Sequence, residues 1–226
     1  MRVLVTGAGS ALGRAVTAEL RRRRHRLRLT DRRRLRTDLE FAQSRLGHTR
    51  ATDELVQGMK AVVHVPAPPG AGAEAAEWID ACTRCTYNLL TAASAAGVEH
   101  CVYVSTLDLF AAYDEGLRVT PEWRPRPTTE PEVMAPGLGE FVAREFAQTK
   151  QIGLTVMRLG HLVEEWTGGE RDPMGVYPAE AGDAVAAAVE SGHPVGYRVL
   201  HVQGEFEGAR FRSASYPAFR PRRRAR

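Results

Sequence analysis

Short apolar runs alternate with amphipathic stretches along this chain of 226 residues. The first apolar run, at 2–6, is rich in Val and Leu, which is typical of a buried strand. Similar runs predict further strands at 27–30, 39–43, 60–65, 101–105, 154–159 and 198–202. Apolar residues at helical spacing predict helices directly after Gly13 and at 53–59, 75–96, 138–149 and 179–190. In the helix at 138–149 the spacing predicts an inward face of Leu138, Phe141, Val142, Phe146 and Thr149.

This regular alternation of strand and helix, with short links, predicts an α/β fold. We expect a Rossmann-type, doubly wound parallel sheet with helices on both faces and right-handed crossovers. Residues 1–205 form one predicted domain, and residues 206–226 form an Arg-rich C-terminal tail. The proline-rich segment 107–136 is predicted to be a long loop, which in a compact domain is usually functional or mobile.

A glycine-rich turn, GAGSALG at 7–13, separates the first strand from the first helix. Glycine permits a tight turn here, and small residues let backbone N–H groups approach a pyrophosphate at the positive end of the helix. The turn therefore predicts a dinucleotide site, and a tight turn beside an empty pocket is the alternative. The predicted cofactor-binding residues of the turn are Gly7, Gly9, Ser10, Ala11, Leu12 and Gly13.

Asp31 closes the second predicted strand, about 20 residues beyond the glycines, where a ribose-binding acid is expected. A carboxylate there accepts hydrogen bonds from the adenosine ribose hydroxyls and repels a 2′-phosphate, which favours NAD. Arg32 follows directly, and an arginine at this place can hold the 2′-phosphate of NADP. We expect NAD as the cofactor and leave NADP open as the alternative.

Composition and charge exclude several classes of protein. The chain has no apolar run of about 18 residues, so no membrane span is predicted. No apolar segment of usable length follows a charged start, so no signal peptide is predicted either. Three cysteines fit a reducing cytoplasm better than a disulfide framework, and no His/Cys cluster predicts a metal site. The net charge of +4 comes mainly from Arg. Because its basic runs lack a recognition module, we expect a small-molecule substrate rather than nucleic acid as the partner.

Several motifs together resemble a known family. They are VLVTGAGSALGR, KAVVHVPAP, TYNLLTAASAAGVEHCVYVST, GEFVAREF and LTVMRLG. In order and spacing they resemble the NAD-dependent epimerases and dehydratases, the extended branch of the short-chain dehydrogenase/reductase superfamily. The resemblance implies a cytoplasmic, NAD(P)-binding, divergent oxidoreductase or epimerase that acts on a sugar or nucleotide-sugar. It also implies a homodimer that pairs through 75–96 and 138–149, and a substrate-binding region that is reduced from about residue 160.

The resemblance assigns roles to further residues. Thr106 takes the place of a Ser or Thr whose hydroxyl polarises the substrate oxygen, and Ser105 just before it is the second catalytic candidate. The family's adenine-contacting Gly-Asp-Leu triplet falls on Ser44-Arg45-Leu46, where Arg45 replaces the Asp and Leu46 is kept. The residues that would line the nicotinamide-side ribose are Val65, Pro66 and Ala67.

The family's catalytic Tyr-x-x-x-Lys motif is missing. Its Tyr and Lys positions fall on Glu132 and Pro136, so the usual acid/base, a Tyr whose pKa a Lys lowers, is absent. This absence raises a second hypothesis, a non-catalytic dinucleotide-binding sensor or scaffold protein. Tyr113 and Glu140 are weaker candidates for the proton-transfer group. His64, Cys82 and Cys85 are more simply explained by core packing.

Overall fold

The computed structural model describes residues 1–66, 70, 72–163, 172–192, 196–204, 209–211 and 213. The strands are β1 (Arg2–Thr6), β2 (Arg26–Asp31), β3 (Glu40–Gln43), β4 (Ala61–His64), β5 (His100–Thr106), β6 (Gly153–Leu159) and β7 (Tyr197–Val202). The helices are α1 (Ala11–Arg22), α2 (Arg50–Val56), α3 (Ala75–Cys82), α4 (Arg84–Ala95), α5 (Pro131–Gln148) and α6 (Pro178–Glu190), and a 3₁₀ helix spans Leu107–Phe110. Ala67 and most of the predicted tail lie outside the described residues.

All seven strands pair in parallel, in the order β3-β2-β1-β4-β5-β6-β7. The chain builds outward from β1 to β3, then crosses to β4 and builds toward the opposite edge. The carboxyl ends of β1 and β4 therefore lie at the point where the strand order reverses, which is where such sheets bind ligands. The Rossmann-type α/β fold is confirmed.

Two hydrophobic cores cover the two faces of the sheet. On β1, Val3 and Val5 belong to the core beneath α1 and α6, whereas Leu4 belongs to the core beneath α2, α4 and α5. Successive strand residues point to opposite faces, so a nearly continuous apolar run serves both cores. In the part of the chain that the structure describes, no helix is both long and apolar enough to span a membrane.

Two predicted elements differ from the structure. The helix predicted at 75–96 is broken at Thr83, whose ψ of −74° departs from helical geometry, so that α3 and α4 are separate helices. Within the predicted loop 107–136, a 3₁₀ helix follows β5 and α5 begins at Pro131. A proline suits the first turn of a helix because its missing N–H has no partner there. The helix continues past Pro136, at which one hydrogen bond is lost.

The buried face of α5 is not the one that the apolar spacing predicts. The expected inward residues include Leu138 and Phe141, yet these side chains are 39% and 56% exposed. Small residues of α5 face the core instead. At one of them, Gly139, a Cβ atom would lie 1.9 Å from the Tyr103 hydroxyl and 2.5 Å from the Cys82 carbonyl oxygen, so no larger residue fits there. The helix packs so closely that its large side chains turn outward.

Replacing Gly182 with Ala tests the contact between α6 and α1. A Cβ atom at Gly182 would lie 2.8 Å from the carbonyl oxygen of Ala15, and both groups are fixed by helix backbone. We expect a loss of about 1–3 kcal/mol in the free energy of unfolding, from overpacking, seen as a lower Tm in thermal unfolding. Gly116→Ala is the matched control, since nothing lies within 4 Å of its Cβ position. Equal Tm values for both variants would contradict the tight contact.

Candidate functional site

A crevice of about 430 Å³ opens at the carboxyl edge of the sheet, beside the ends of β1, β2 and β4. It is bordered on the far side by α3 and the start of α4. Its lining includes six residues that the sequence analysis assigns to cofactor binding: Gly7, Asp31, Arg32, Leu46, Val65 and Pro66.

The glycine turn is held by its own hydrogen bonds. Ser10 caps α1: its hydroxyl donates to the Gly7 carbonyl at 2.8 Å and accepts from the Gly13 N–H at 2.9 Å. The hydroxyl of Ser10, a predicted cofactor-binding residue, is therefore engaged in capping the helix. Over the residues that the structure describes, the N–H groups of Ala11 and Leu12 have no recorded hydrogen-bond partner. They are the free donors at the positive end of α1, where an anion is favoured.

Two glycines of the turn are required by the backbone, one by its φ angle and the other by a close contact. Gly7 has a φ of +59°, in the left-handed region that favours glycine. At Gly13 a Cβ atom would lie 2.2 Å from the Gly7 carbonyl oxygen and 2.8 Å from the Ala8 Cα. The glycine turn and the first turn of α1 are therefore in direct backbone contact, with no space for a side chain at Gly13.

Asp31 joins β2 to the glycine turn. Its Oδ2 accepts from the Gly9 N–H at 2.9 Å and its Oδ1 accepts from the Arg33 N–H at 2.9 Å. The side chain is 8% exposed and borders the crevice. Because a carboxylate offers about four acceptor sites, each oxygen keeps one for a further donor such as a hydroxyl. The residue is thus suited to bind a ribose diol while it holds the turn.

The segment at Ser44–Leu46 forms another part of the crevice wall. Hydrogen bonds from α4 hold this segment in place. Leu46 has a φ of +51° and its carbonyl oxygen accepts from the Asn88 side chain at 2.9 Å. The Cys85 thiol donates to the Arg45 carbonyl oxygen at 3.3 Å. Beyond this segment the lining includes an ion pair between Asp80 and Arg84, which the sequence analysis missed. Their i, i+4 spacing was the available signal.

His64, at the end of β4, is a core histidine. It is 1% exposed, and its ring nitrogens contact the hydroxyls of Thr6 at 2.7 Å and Thr86 at 3.0 Å. Burial lowers the pKa of His64 to about 3, so the ring is neutral. Burial likewise raises the thiol pKa of Cys82 to about 12 and of Cys85 to about 11. These residues pack the wall of the crevice, as the sequence analysis expected.

A second polar group lies further along the same edge, after β5 and β6. The Thr106 hydroxyl donates to Asp108 Oδ2 at 2.8 Å, and Asp108 Oδ1 is 2.8 Å from His161 Nε2. The other ring nitrogen, Nδ1, is 2.6 Å from Asp172 Oδ2. We name these four residues the His161 cluster. The sequence analysis found only Thr106, although a histidine just beyond the strand LTVMRLG was an available signal.

The His161 cluster is electrostatically distinctive. The hydrogen bond to Asp108 raises the pKa of His161 against the opposing effect of burial, and Asp172 adds to the rise, to about 9. His161 in turn lowers the pKa of Asp108. The imidazole is therefore charged at neutral pH while 43% of its side chain remains exposed.

Ser105 does not join this cluster. Adjacent strand residues point to opposite faces of the sheet, so the Ser105 side chain lies on the other side from Thr106. It is 7% exposed, and its hydroxyl has no recorded hydrogen-bond partner among the described residues. The two catalytic candidates are therefore neighbours in sequence but not in the site.

The other candidates for proton transfer are occupied. Glu140 forms a buried, two-bond ion pair with Arg158, at 2.9 and 2.7 Å. The Tyr113 hydroxyl donates to the Arg124 carbonyl oxygen at 2.9 Å. Glu132, at the Tyr position of the missing motif, is exposed in the first turn of α5.

The sheet order, the glycine turn and the crevice together define a Rossmann-type fold with the architecture of a nucleotide-binding domain. Comparison with sequence families then gives the particular group: residues 3–204 match the NAD dependent epimerase/dehydratase family, and the chain belongs to it. No curated protein sequence matches the chain.

Solved structures show the same fold at low identity. Uronate dehydrogenase from Agrobacterium tumefaciens is 21% identical with a TM-score of 0.77, over 94% of this chain and 80% of that one. UDP-N-acetylglucosamine 4-epimerase from Bacillus cereus is 19% identical with a TM-score of 0.74, over 90% and 79%. MoeE5, solved in complex with UDP-glucuronic acid and NAD, is 19% identical with a TM-score of 0.75, over 90% and 77%.

Replacing Glu140 with Ala tests whether this residue is structural. The change leaves the Arg158 guanidinium, whose side chain is 5% exposed, without its counter-charge, and we expect a loss of about 3–5 kcal/mol in the free energy of unfolding. Chemical denaturation measures it. Glu145→Ala on the exposed side of the same helix is the control, and its Arg144 contact is a surface pair worth about 0–1 kcal/mol. A Glu140→Ala variant as stable as the control would contradict the buried pair.

Proposed function

We propose that this protein binds NAD in the crevice and acts as a divergent oxidoreductase or epimerase on a sugar or nucleotide-sugar. The single observation that carries the proposal is the free N-terminus of α1. Among the described residues, the N–H groups of Ala11 and Leu12 have no hydrogen-bond partner, the Gly13–Gly7 contact beside them is too close for any side chain, and Asp31 fixes the turn from the neighbouring strand. Such an arrangement is suited to a pyrophosphate joined to a ribose.

We assign one part of the dinucleotide to each part of the crevice and to the glycine turn, of which Gly7 lines the crevice. The turn from Gly7 to Gly13 would hold the pyrophosphate, Asp31 the adenosine ribose, and the wall at Leu46 the adenine. Val65 and Pro66 line the continuation past β4 and would contact the nicotinamide-side ribose; Ala67, assigned to the same ribose, lies outside the described residues. When bound, the cofactor supplies or accepts a hydride.

NAD is favoured over NADP by the position of Asp31. Its carboxylate lies at the end of β2 on the crevice wall, where it would repel a 2′-phosphate. Arg32 also lines the crevice, which keeps NADP as the alternative cofactor.

The substrate class rests on the relatives and on Thr106. The similar solved structures include uronate dehydrogenase, UDP-N-acetylglucosamine 4-epimerase and MoeE5 in complex with UDP-glucuronic acid, and Thr106 ends β5 at the same edge as the crevice. We propose Thr106 as the residue that contacts the substrate oxygen. The three buried free cysteines support a reducing, cytoplasmic location.

A non-catalytic sensor or scaffold is the second candidate function. It is favoured by Glu132 and Pro136 at the positions of the family's Tyr and Lys. The two candidates separate on turnover, because a sensor binds NAD and NADH but converts neither D-glucuronate nor UDP-glucuronic acid.

Cofactor binding is testable by calorimetry and thermal unfolding. NAD at 100 times its Kd should stabilise the folded state by about 2.7 kcal/mol, and NADP should give a smaller shift in Tm. Gly13→Ala should remove the NAD shift, because the new Cβ displaces the Gly7 carbonyl. Gly116→Ala should keep it.

Two outcomes would count against this assignment. Equal shifts with NAD and NADP would contradict the role of Asp31. No heat of binding with NAD or NADH, for a wild-type protein that unfolds cooperatively, would overturn the proposed function itself.

We also propose that two copies pair through α4 and α5. Leu138 and Phe141 on α5 and Tyr87 on α4 are among the most exposed large apolar side chains of the described residues. The Tyr87 and Phe146 rings are in contact, with centroids 5.6 Å apart, so the two helices form one apolar surface. An exposed patch of this kind is typical of a protein interface.

Phe141→Glu should convert the proposed dimer to a monomer, because it places on this surface a carboxylate that would have to lose its hydration when the two copies pair. Light scattering after size exclusion measures the mass. Leu117→Glu, at another partly exposed apolar residue away from these helices, should leave the mass unchanged. A wild-type protein that is monomeric at high concentration would refute the pairing.

A further inference from the structure

The geometry of the His161 cluster gives the protonation state of its histidine. Both ring nitrogens lie within 2.8 Å of carboxylate oxygens, one from Asp108 and one from Asp172. An ionised carboxylate only accepts hydrogen bonds, so both nitrogens must carry hydrogen and the ring is an imidazolium. Two short, charge-assisted bonds hold it in one orientation.

The cluster also connects a predicted substrate contact to solvent. Asp108 accepts from Thr106 through one carboxylate oxygen and from His161 through the other. Thr106 ends β5, which is next to β4, whose end lines the crevice. His161 follows β6, one strand further on, and is 43% exposed. Hydrogen bonds thus run without a break from Thr106 at the end of β5 to the exposed imidazolium beyond β6.

We infer that the His161 cluster is a proton-transfer site that replaces the missing Tyr-x-x-x-Lys, with His161 as the proton carrier for reduction of a sugar carbonyl. This inference rests on the proposed function. It extends that function by assigning the acid and by favouring the direction of carbonyl reduction.

The proton balance is as follows. A carbonyl that gains a hydride from a reduced nicotinamide nucleotide becomes an alkoxide, whose oxygen takes the proton that the Thr106 hydroxyl otherwise donates to Asp108. His161 gives its Nε2 proton to Oδ1 of Asp108, so that its Nε2–H bond breaks as an Asp108 O–H bond forms. The carboxyl group then turns about its Cβ–Cγ bond and passes this proton to the Thr106 oxygen. The exposed imidazole then regains a proton from water. In the opposite direction, oxidation of an alcohol, the same bonds form and break in reverse, and His161 must start as the neutral ring.

The direction follows from the charge state of His161. Among the described residues, two charged groups face His161: Asp108 from the 3₁₀ helix and Asp172 from the segment before α6. Both carboxylates favour the imidazolium. With a pKa of about 9, the ring is loaded with a proton at pH 7. Carbonyl reduction therefore proceeds at neutral pH, whereas alcohol oxidation should rise with pH and level off above about 9.

The first test needs neither cofactor nor substrate. Long-range ¹H–¹⁵N NMR spectra of ¹⁵N-histidine protein should show one ring with both nitrogens protonated at pH 7, titrating near pH 9. His161→Gln identifies the signal by its loss. Asp108→Asn and Asp172→Asn should each lower the pKa by about one unit or more, since each removes a counter-charge. Asp53→Asn, an exposed residue of α2, is the control. A ring that titrates at the ordinary value would overturn the inference.

The second test detects whether His161 faces the reactive end of the bound cofactor, which a purely structural ion pair would not. The nicotinamide ring is positively charged in NAD and neutral in NADH. A nearby imidazolium repels only NAD, so the ratio of the Kd of NAD to that of NADH should fall by about tenfold between pH 7 and pH 10. Isothermal calorimetry measures both constants.

The variants separate the outcomes. His161→Gln should abolish the pH dependence of the ratio, Asp172→Asn should move it to lower pH, and Asp53→Asn should leave it unchanged. If both nucleotides bind with the same pH response, the inference fails while the proposed function stands. If neither nucleotide binds, the proposed function fails and the inference falls with it.

Discussion

The rest of the molecule depends on a contact between two backbone segments near its N-terminus. Only a hydrogen atom fits between Gly13 and the Gly7 carbonyl, so α1 starts directly against the end of β1. The first N–H groups of α1 are thereby held at the carboxyl edge of the sheet, and Asp31 ties the same turn to β2. The position of this end of α1 is therefore a consequence of packing.

Two histidines at this edge show how environment divides structural from chemical roles. His64 is surrounded by hydroxyls and apolar atoms, and burial alone lowers its pKa to about 3. His161 is half-exposed and bracketed by carboxylates, which raise its pKa to about 9. The same side chain is thus a neutral packing element at the end of β4 and a charged group beyond the end of β6. Neighbouring charge, rather than burial, marks the second as a candidate for chemistry.

The sequence predicts features that are set by neighbouring residues. It misses features that depend on contacts between residues far apart in the sequence. The strands, the glycine turn and Asp31 follow from short runs whose period and spacing are enough. The buried face of α5 was predicted wrongly, because apolar spacing does not record that Gly139 must pass within contact of Tyr103. The His161 cluster joins residues from three separate segments by hydrogen bonds, and no single segment carries its signature. Only Thr106 was found, through the family resemblance.

The replacement proposed for the missing motif has a physical logic of its own. The family's acid is a phenol whose ordinary pKa near 10 is lowered by a Lys cation. Here the acid is an imidazole whose ordinary pKa near 6.5 is raised by carboxylates, to about 9. Both routes give an acid whose pKa lies above neutral pH but close enough to it for proton transfer to a substrate. Pro136 cannot carry a cation, and Glu140 is committed to Arg158. A proton carrier for the proposed reaction would therefore come from elsewhere on the same edge, and His161 is the residue that we propose for it.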